Sequence, residues 1–181
     1  MDHVIRTERL LLRGLRASDT EALFALFANW QVIRRLSKPP WPYALSDARS
    51  FIDGKLNQDL TKTTFAITLN DALIGGIDVR VNAACDSQSG PGPNLGYWLG
   101  QPYWGRGYMS EAARGSVAYV FAAGVGDTIY SGAFADNKAS LRIQEKLGFV
   151  QDGQSMLFAK PRGDSFPHVS TVLTRAAFRG L

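Results

Sequence analysis

Near the middle of the chain, an apolar strand-like run, two closely spaced glycines and a helix-like run follow one another. The strand-like run covers residues 95–99, the glycines are Gly105 and Gly107, and the helix-like run covers residues 112–123. A strand that turns through glycines into a helix start gathers unpaired backbone N–H groups at one point, and the helix dipole adds positive potential there. The pattern therefore predicts a mixed α/β chain with an anion site, typically for phosphate, at the turn.

Two glycines before a helix are a short motif with more than one interpretation. Glycine adopts a positive φ without steric cost, so an ordinary turn is an equal alternative at this stage. A Rossmann-type site needs a third glycine, where this chain has Met109 and Ser110, and an acidic residue about 20 positions later, for which Asp127 and Asp136 are poorly placed. A Walker-type loop needs Gly-Lys-Ser/Thr, which does not follow. The motif therefore favours neither of these nucleotide-binding classes.

Composition narrows the protein class. With 181 residues, 45% of them hydrophobic, we expect a single domain, residues 1–181, with a sizeable core. The net charge is only +4, and no basic run exceeds Arg34-Arg35, which argues against nucleic acid as a partner. The single Cys85 excludes an internal disulfide and favours a reducing compartment. One cysteine and two well-separated histidines also offer no ligand cluster, so no metal is expected.

Targeting segments are not evident in the sequence. Residues 1–9 are charged and lack the apolar region of a secretory signal. No apolar run approaches the ~18 residues that a membrane span needs. We therefore expect a soluble, cytoplasmic protein without a membrane partner.

The remaining runs predict strands and helices in a mixed order. Alternating or apolar runs rich in β-branched and aromatic residues predict strands, and apolar residues at helical spacing predict helices. The predicted strands cover residues 10–15, 63–69, 73–81, 95–99, 128–134, 149–159 with an internal turn, and 169–174, and the predicted helices cover residues 19–28, 30–36, a stretch from 46 to 56, 112–123 and 137–147.

A second motif lies one predicted strand and one predicted helix after the glycines. It combines Asn137 and Ser140 at a helix start with Lys-Leu-Gly-Phe at residues 146–149. Asn and Ser favour helix starts for local reasons, so a plain helix cap is the alternative interpretation of both residues. Together with Tyr-Trp-Gly-x-Gly-Tyr at residues 103–108, the residues 7–13 and the closing residues 173–175, this motif resembles the GNAT superfamily of N-acetyltransferases, and within it the RimJ/RimL-like branch.

The resemblance covers essentially the whole chain and implies both a fold and a reaction. The implied fold is α/β (α+β): a mixed, mostly antiparallel central sheet, splayed between the fourth and fifth predicted strands and flanked by helices. The implied reaction transfers an acetyl group from acetyl-CoA to a primary amine by direct attack in a ternary complex. The acceptor is a protein N-terminal α-amine or a small-molecule amine, and the implied protein is a monomer or homodimer.

The resemblance also implies which residues bind acetyl-CoA. The glycine turn would hold the pyrophosphate, the backbone near Trp98 and Leu99 would pair with the pantetheine arm and polarise the thioester carbonyl, and Asn137 would contact the cofactor. Met109 stands where the family prefers Gly or Ala, so binding is expected to be retained with either a shifted loop or a Met109 side chain that points away from the ligand. The implied cofactor-binding residues are Trp98, Leu99, Trp104, Gly105, Arg106, Gly107, Tyr108, Met109, Ser110 and Asn137.

The catalytic groups are only partly implied. Ser140 matches the position that protonates the leaving thiolate, whereas Gln144 replaces a tyrosine that does this in many members. A general base must take the ammonium proton of the acceptor. Asn94 stands where many members have a glutamate, so Asp78, His168 and water remain open as bases. Glu111 is interpreted as a first-turn carboxylate that suits the helix dipole.

The acceptor site is the least determined part of the sequence. Residues 39–43 contain three prolines and predict an extended loop. Trp41 and Tyr43, with Trp30, are candidates for binding the acceptor, and a rigid loop whose aromatic side chains complete the core is an equal alternative. A rival function is a catalytically silent acyl-CoA-binding or regulatory module, which Asn94 and Met109 suggest.

Overall fold

The computed structural model describes residues 4–56, 62–80 and 92–180, so Cys85 lies outside the described residues. In the described part, eight strands form one sheet in the order β1-β2-β3-β4-β5-β6-β8-β7. All neighbouring strands are antiparallel except β5 and β6, which confirms the predicted mixed, mostly antiparallel α/β fold. The strands are β1 (Ile5–Arg6), β2 (Leu11–Gly14), β3 (Lys62–Leu69), β4 (Ala72–Arg80), β5 (Asn94–Leu99), β6 (Thr128–Phe134), β7 (Val150–Ala159) and β8 (Asp164–Thr174).

Five α-helices flank the sheet in the described ranges: α1 (Thr20–Phe27), α2 (Trp30–Ile33), α3 (Leu45–Leu56), α4 (Tyr108–Ala122) and α5 (Lys138–Leu147). The sequence predicted the start of α4 four residues too late. Gly107 is the N-cap in the left-handed region, with φ 78°, so the helix begins directly after the glycine turn. Asn137 caps α5 through its side chain, and Gly148 ends that helix with φ 101°.

The edge strands are where prediction and structure differ most. β1 has only two residues, too few to show a periodic pattern, and it was not predicted. β7 and β8 form one long hairpin instead of shorter strands with an internal turn. Most residues of β7 are exposed or half-buried, and residues 151–155 are polar or glycine, so this stretch gives no hydrophobic signal. A register shift between Gln151 and Gly153 replaces the predicted turn.

Two apolar clusters cover opposite faces of the sheet. On one face, α4 packs its buried residues, Val117 among them, against strand residues such as Leu12 and Ile77. On the other face, α1 and α3 bury Leu23 and Ile52 against Ala66 and Leu73. The sheet is thereby fixed from both sides at its centre.

β5 and β6 separate soon after they meet, and these are the fourth and fifth predicted strands, shifted by one because of β1. Their one registered pair is Asn94 with Tyr130. Tyr130 N donates to Pro93 O at 2.8 Å, and Ser131 Oγ donates to Leu95 O at 2.8 Å. No further register pair joins the two strands as described, so a gap opens in the sheet beyond Leu95.

Candidate active site

The gap continues into a cavity of about 560 Å³, which we call the main cleft. Its walls are the end of β5, the glycine turn and the first half of α5. Gly105 and Gly107 both have positive φ, 75° and 78°, and Gly107 caps α4 without a side-chain hydrogen bond. The N–H groups in the first turn of α4 therefore have no side-chain cap, and they carry the positive end of the helix dipole. The main cleft is lined by Val32, Arg35, Leu36, Tyr97, Trp98, Leu99, Tyr103, Trp104, Gly105, Gly107, Tyr108, Met109, Ser110, Asn137, Ala139, Ser140, Arg142, Ile143 and Lys146.

A set of contacts that we call the brace, formed by Thr7, Arg9 and Glu111, holds the turn from behind. The Glu111 carboxylate accepts from Thr7 Oγ1 at 2.6 Å and from Arg9 N and Nε, both at 2.7 Å. Arg9 Nη1 also donates to Arg106 O at 3.1 Å, and its guanidinium lies 4.7 Å from the ring of Tyr108. Burial alone would raise the pKa of Glu111, but the hydrogen bonds from Thr7 and Arg9 hold it below its ordinary value. Glu111 is thus an ionised anchor of the turn, in addition to its favourable place near the helix dipole.

Met109 lines the main cleft, but its side chain is buried as part of the core. It is 6% exposed and belongs to the same apolar cluster as Val117. Because backbone N–H groups bind an anion whatever side chain they carry, a methionine at this position leaves the turn open to a ligand.

The backbone of β5 presents alternate residues to the gap. Gly100 N donates to Ile74 O at 2.9 Å on the β4 side, whereas Leu95 O faces Ser131 on the β6 side. Since backbone groups alternate along an antiparallel strand, those of Tyr97 and Leu99 face the gap, and those of Trp98 face β4. Backbone pairing with a ligand, expected at Trp98 and Leu99, therefore fits Tyr97 and Leu99 instead.

Arg35 lies across the main cleft, a position that no local pattern in the sequence indicates. Its guanidinium lies 4.6 Å from the ring of Trp104, and its Nη1 donates to Asn137 Oδ1 at 3.0 Å. Trp104 Nε1 in turn donates to Leu99 O at 2.7 Å. Burial, followed by the charge of Arg34, lowers the pKa of Arg35. These contacts tie α2, the glycine turn and the cap of α5 together across the gap.

Ser140 is the centre of a small polar cluster. Its Oγ donates to Tyr97 Oη at 3.0 Å and accepts from Gln144 Nε2 at 3.4 Å. Tyr97 Oη donates to the backbone carbonyl of Ser140 at 3.1 Å. Gln144 Oε1 accepts from Thr171 Oγ1 at 2.8 Å, so β8 orients the amide. Burial raises the pKa of Tyr97, while the hydrogen bonds with Ser140 and Gln144 oppose that shift.

Two further cavities meet the main cleft at Tyr97, which lines all three. The inner cavity, about 230 Å³, lies between β5, β6 and β8 and contains Asn94, Ser140 and His168. The side cavity, about 420 Å³, lies towards α1 and α3 and contains Asp78 and Trp98. Tyr97 and Ser140 therefore lie where a ligand in the main cleft and a second ligand could meet.

The two candidate bases lie in different cavities. His168 in the inner cavity is buried, its Nδ1 has no hydrogen-bond partner among the described residues, and burial lowers its pKa. Asp78 in the side cavity faces Lys55 Nζ at 3.9 Å and Arg80 Nη2 at 4.0 Å. The structure therefore brings only His168 into the cavity that also contains Ser140.

The three aromatic candidates for the acceptor site lie in two different places. Tyr43 is buried, lies 5.1 Å from Phe27 between ring centroids, and lines the side cavity; burial raises its pKa to about 12. Trp30 and Trp41 pack on each other at 5.2 Å on the surface and line none of the three cavities. Of these three residues, only Tyr43 therefore lines one of the three cavities.

Neither a metal-binding cluster nor a membrane-spanning helix is present among the described residues. Within residues 4–56, 62–80 and 92–180, no three His, Cys, Asp or Glu side chains are grouped so that they could hold a metal ion. None of the helices described has the length and apolar character that crossing a bilayer requires.

Comparisons with known proteins identify a family and solved structures with the same fold. Residues 9–150 match the model of the Acetyltransferase (GNAT) domain. The uncharacterized N-acetyltransferase YoaA of Bacillus subtilis is 31% identical over 155 residues, which are 83% of this chain and 84% of that protein. The ribosomal alpha-N-protein acetyltransferase RimL, solved with coenzyme A, matches with a TM-score of 0.78 at 20% identity over 97% of this chain and 99% of that one. RimJ of Mycobacterium smegmatis, solved with a CoA disulfide, matches with a TM-score of 0.78 at 18% identity over 97% and 87% of the two chains.

Proposed function

This chain belongs to the GNAT acetyltransferase family, and we propose that it transfers an acetyl group from acetyl-CoA to a primary amine by direct attack within a ternary complex. The observation that carries the proposal is the meeting of the main cleft with the inner and side cavities at Tyr97, beside Ser140, which lines both the main cleft and the inner cavity. The structures of RimL and RimJ, which share the fold, contain coenzyme A or its disulfide and support the same ligand here.

The proposed binding mode follows from the groups that line the main cleft. The pyrophosphate would accept hydrogen bonds from the uncapped N–H groups at residues 105–110. The pantetheine arm would lie in the gap and pair with the backbone of Tyr97 and Leu99. A backbone N–H from this strand would then stabilise the negative charge that develops on the thioester oxygen.

The chemistry needs two proton transfers. The amine nitrogen attacks the thioester carbon, the C–S bond breaks, the thiolate of CoA gains a proton, and the nitrogen loses one. His168, Asp78 or a water molecule would take the proton from nitrogen. Because burial lowers the pKa of His168, this imidazole is neutral at pH 7 and able to accept a proton. The hydroxyl groups of Ser140 and Tyr97 are the nearest acids to the meeting point.

The charge of the inner cavity favours one kind of acceptor. Its described lining includes Arg35, Lys38 and Arg80 and no carboxylate. Neighbouring positive charges favour the neutral form of an amine, which is the nucleophilic form, and attract an anionic group beside it. We therefore expect an acceptor that carries a carboxylate or phosphate near its amine to react faster than a polyamine.

A coupled assay of CoA release tests the proposal. The protein is incubated with acetyl-CoA and a panel of acceptors: N-terminal alanyl and seryl peptides, a polyamine, an aminoglycoside, and free amino acids beside their amides. Acceptor-dependent CoA release confirms the transferase. No release, together with no binding of acetyl-CoA by calorimetry, refutes it. Tight binding without transfer to any amine favours the silent acyl-CoA-binding module.

The same assay separates the candidate bases. If His168 takes the proton, His168→Gln removes the acidic limb of the kcat/KM profile, whose midpoint lies below the ordinary histidine pKa of about 6.5. If Asp78 takes it, Asp78→Asn has that effect and His168→Gln does not. An acidic limb that both variants retain identifies water as the acceptor of the proton.

A further inference from the structure

We infer that Tyr97 gives the proton to the leaving CoA thiolate and that Ser140 orients Tyr97 for this step. The inference rests on the proposed transfer from acetyl-CoA. It assigns the acid to strand β5 rather than to α5, where the family resemblance implies Ser140.

The directions of the hydrogen bonds carry the assignment. Gln144 Nε2 donates to Ser140 Oγ, and Ser140 Oγ donates to Tyr97 Oη. Every donor in this row therefore points towards Tyr97, and the serine proton is already used within the cluster. The Tyr97 hydroxyl is the end of the row, and its own proton is directed to the carbonyl of Ser140.

The hydrogen bond from the Tyr97 hydroxyl to that carbonyl can be broken at little cost in free energy. Ser140 lies in the first turn of α5, so its carbonyl also faces the N–H of residue 144, four positions later in the helix. A Tyr97 hydroxyl that turns towards a thiolate therefore leaves no backbone acceptor without a partner. Ser140 Oγ stays in place and donates to the phenolate oxygen that results.

Acidity favours the same residue. A free tyrosine has a pKa near 10 and a thiol has a pKa near 8.5, so the transfer of a proton from the phenol to a thiolate has only a modest cost in free energy. An aliphatic hydroxyl is a far weaker acid, and its alkoxide would need much stronger stabilisation. Burial raises the pKa of Tyr97, which keeps the hydroxyl protonated until the thiolate forms.

The position of Tyr97 completes the argument. Tyr97 lines the main cleft, the inner cavity and the side cavity, and its hydroxyl contacts Ser140, so it lies on the boundary between the two proposed ligands. In the step, the bond from nitrogen to carbon forms, the C–S bond breaks, the O–H bond of Tyr97 breaks and an S–H bond forms. The phenolate regains a proton from solvent, which has received the proton of the acceptor through the base.

The test compares Tyr97→Phe, Ser140→Ala and the double variant, using acetyl-CoA and the acceptor from the panel that releases CoA fastest. Tyr97→Phe is expected to lower kcat about 100-fold, a typical contribution of a general acid, with little change in the KM for acetyl-CoA. Ser140→Ala is expected to lower kcat less, and the double variant to match Tyr97→Phe. Tyr130→Phe, a strand tyrosine outside the three cavities, is the matched control and is expected to keep the wild-type kcat.

A second measurement separates an acid from a structural tyrosine. Trifluorotyrosine at position 97 lowers the phenol pKa with little change in shape, so the basic limb of the kcat profile is expected to move to lower pH. The same replacement at position 130 leaves the profile unchanged. The inference is overturned if Ser140→Ala lowers kcat more than Tyr97→Phe does, or if the basic limb does not move when Tyr97 is fluorinated. A wild-type protein without acceptor-dependent CoA release overturns the proposed function, and the inference with it.

Discussion

The two sides of the gap between β5 and β6 are built from different kinds of groups. On the proposed cofactor side, one short glycine turn brings uncapped backbone N–H groups to the main cleft, and Thr7, Arg9 and Glu111 hold the turn from behind. On the acceptor side, the inner and side cavities are lined by side chains from several separate elements. A site made of backbone requires a local pattern of glycines and leaves a motif in the sequence. A site made of side chains leaves none.

The largest expected effect is on stability. It tests whether the acceptor side is stabilised independently of the cofactor side. Arg13 and Asp19 form a bidentate pair, both bonds 2.8 Å, below α1, with side chains 6% and 7% exposed. Breaking a buried pair by removing one partner typically costs about 3–5 kcal/mol, so we expect Asp19→Ala to lower the free energy of unfolding by that amount. Denaturant unfolding measures this loss. Calorimetry on the folded protein should show unchanged affinity for acetyl-CoA.

The exposed pair of Arg175 and Asp127, at 2.7 Å, is the matched control. Exposed ion pairs contribute little, so Asp127→Ala should leave the unfolding curve nearly unchanged. A lower affinity for acetyl-CoA in Asp19→Ala would show that the two sides are not independent.

The pH dependence of the stabilisation by Asp19 has a fixed sign. Burial alone would raise the pKa of Asp19, but hydrogen bonds from Arg13 and Arg16 lower it. Its contribution is therefore present above pH ~4 and lost as the pH falls through the lower folded value.

The brace gives the next largest effect, on the cofactor side. Glu111→Ala leaves the donors of Thr7 and Arg9 without their acceptor, so we expect a loss of about 1–3 kcal/mol in unfolding free energy and a several-fold weaker affinity for acetyl-CoA. Glu21, a first-turn carboxylate of α1, is the matched control for the helix dipole alone. If Glu21→Ala weakens the affinity for acetyl-CoA as much as Glu111→Ala does, the brace has no specific role.

The pH dependence of this effect also follows from the structure. Because the pKa of Glu111 is lowered in the folded protein, its stabilisation is complete above the ordinary glutamate pKa of ~4.3 and disappears as the pH falls through the folded value. The wild-type affinity for CoA should therefore show no loss from the brace between pH 6 and 8. A titration by calorimetry over that range checks this expectation.

A smaller effect isolates the backbone of the turn. Gly107→Ala places a side chain at φ 78°, where an L residue costs about 1–2 kcal/mol, and we expect the first turn of α4 to shift and acetyl-CoA to bind more weakly. Gly163→Ala creates the same strain at φ 70°, in open space away from the main cleft. Thermal unfolding should show similar losses for the two variants, while only Gly107→Ala changes the affinity. Equal affinities would contradict a backbone site at this turn.

The smallest expected effect concerns the surface pair of Trp30 and Trp41. Since neither ring lines a described cavity, we expect Trp41→Ala to change the acceptor KM by less than threefold and the stability by about 0.5–1.5 kcal/mol, as for an aromatic pair. Steady-state kinetics with the best acceptor of the panel measures the first quantity. A tenfold rise in KM would instead place the proline-containing loop in the acceptor site.

The difference between a backbone site and a side-chain site also explains what the sequence could predict. The glycine turn, the cap at Asn137 and the gap between two strands depend on local pattern or on the resemblance, and the structure shows the turn, the cap and the gap. Tyr97 was missed because its partner Ser140 is 43 residues away and an alternating strand does not show which hydroxyl its tyrosine will meet. Arg35 was missed because its contacts to Trp104 and Asn137 join distant parts of the chain.

The brace has a consequence for how this protein acquires its activity during folding. Thr7 and Glu111 are 104 residues apart, so the contact closes a loop that includes most of the chain preceding α4. Contacts of such long sequence separation form late, because the entropy of loop closure is lost before the contact repays it. During synthesis, the amino-terminal residues would emerge long before their partner Glu111. The glycine turn would therefore reach its final geometry only after more than half of the chain has been made.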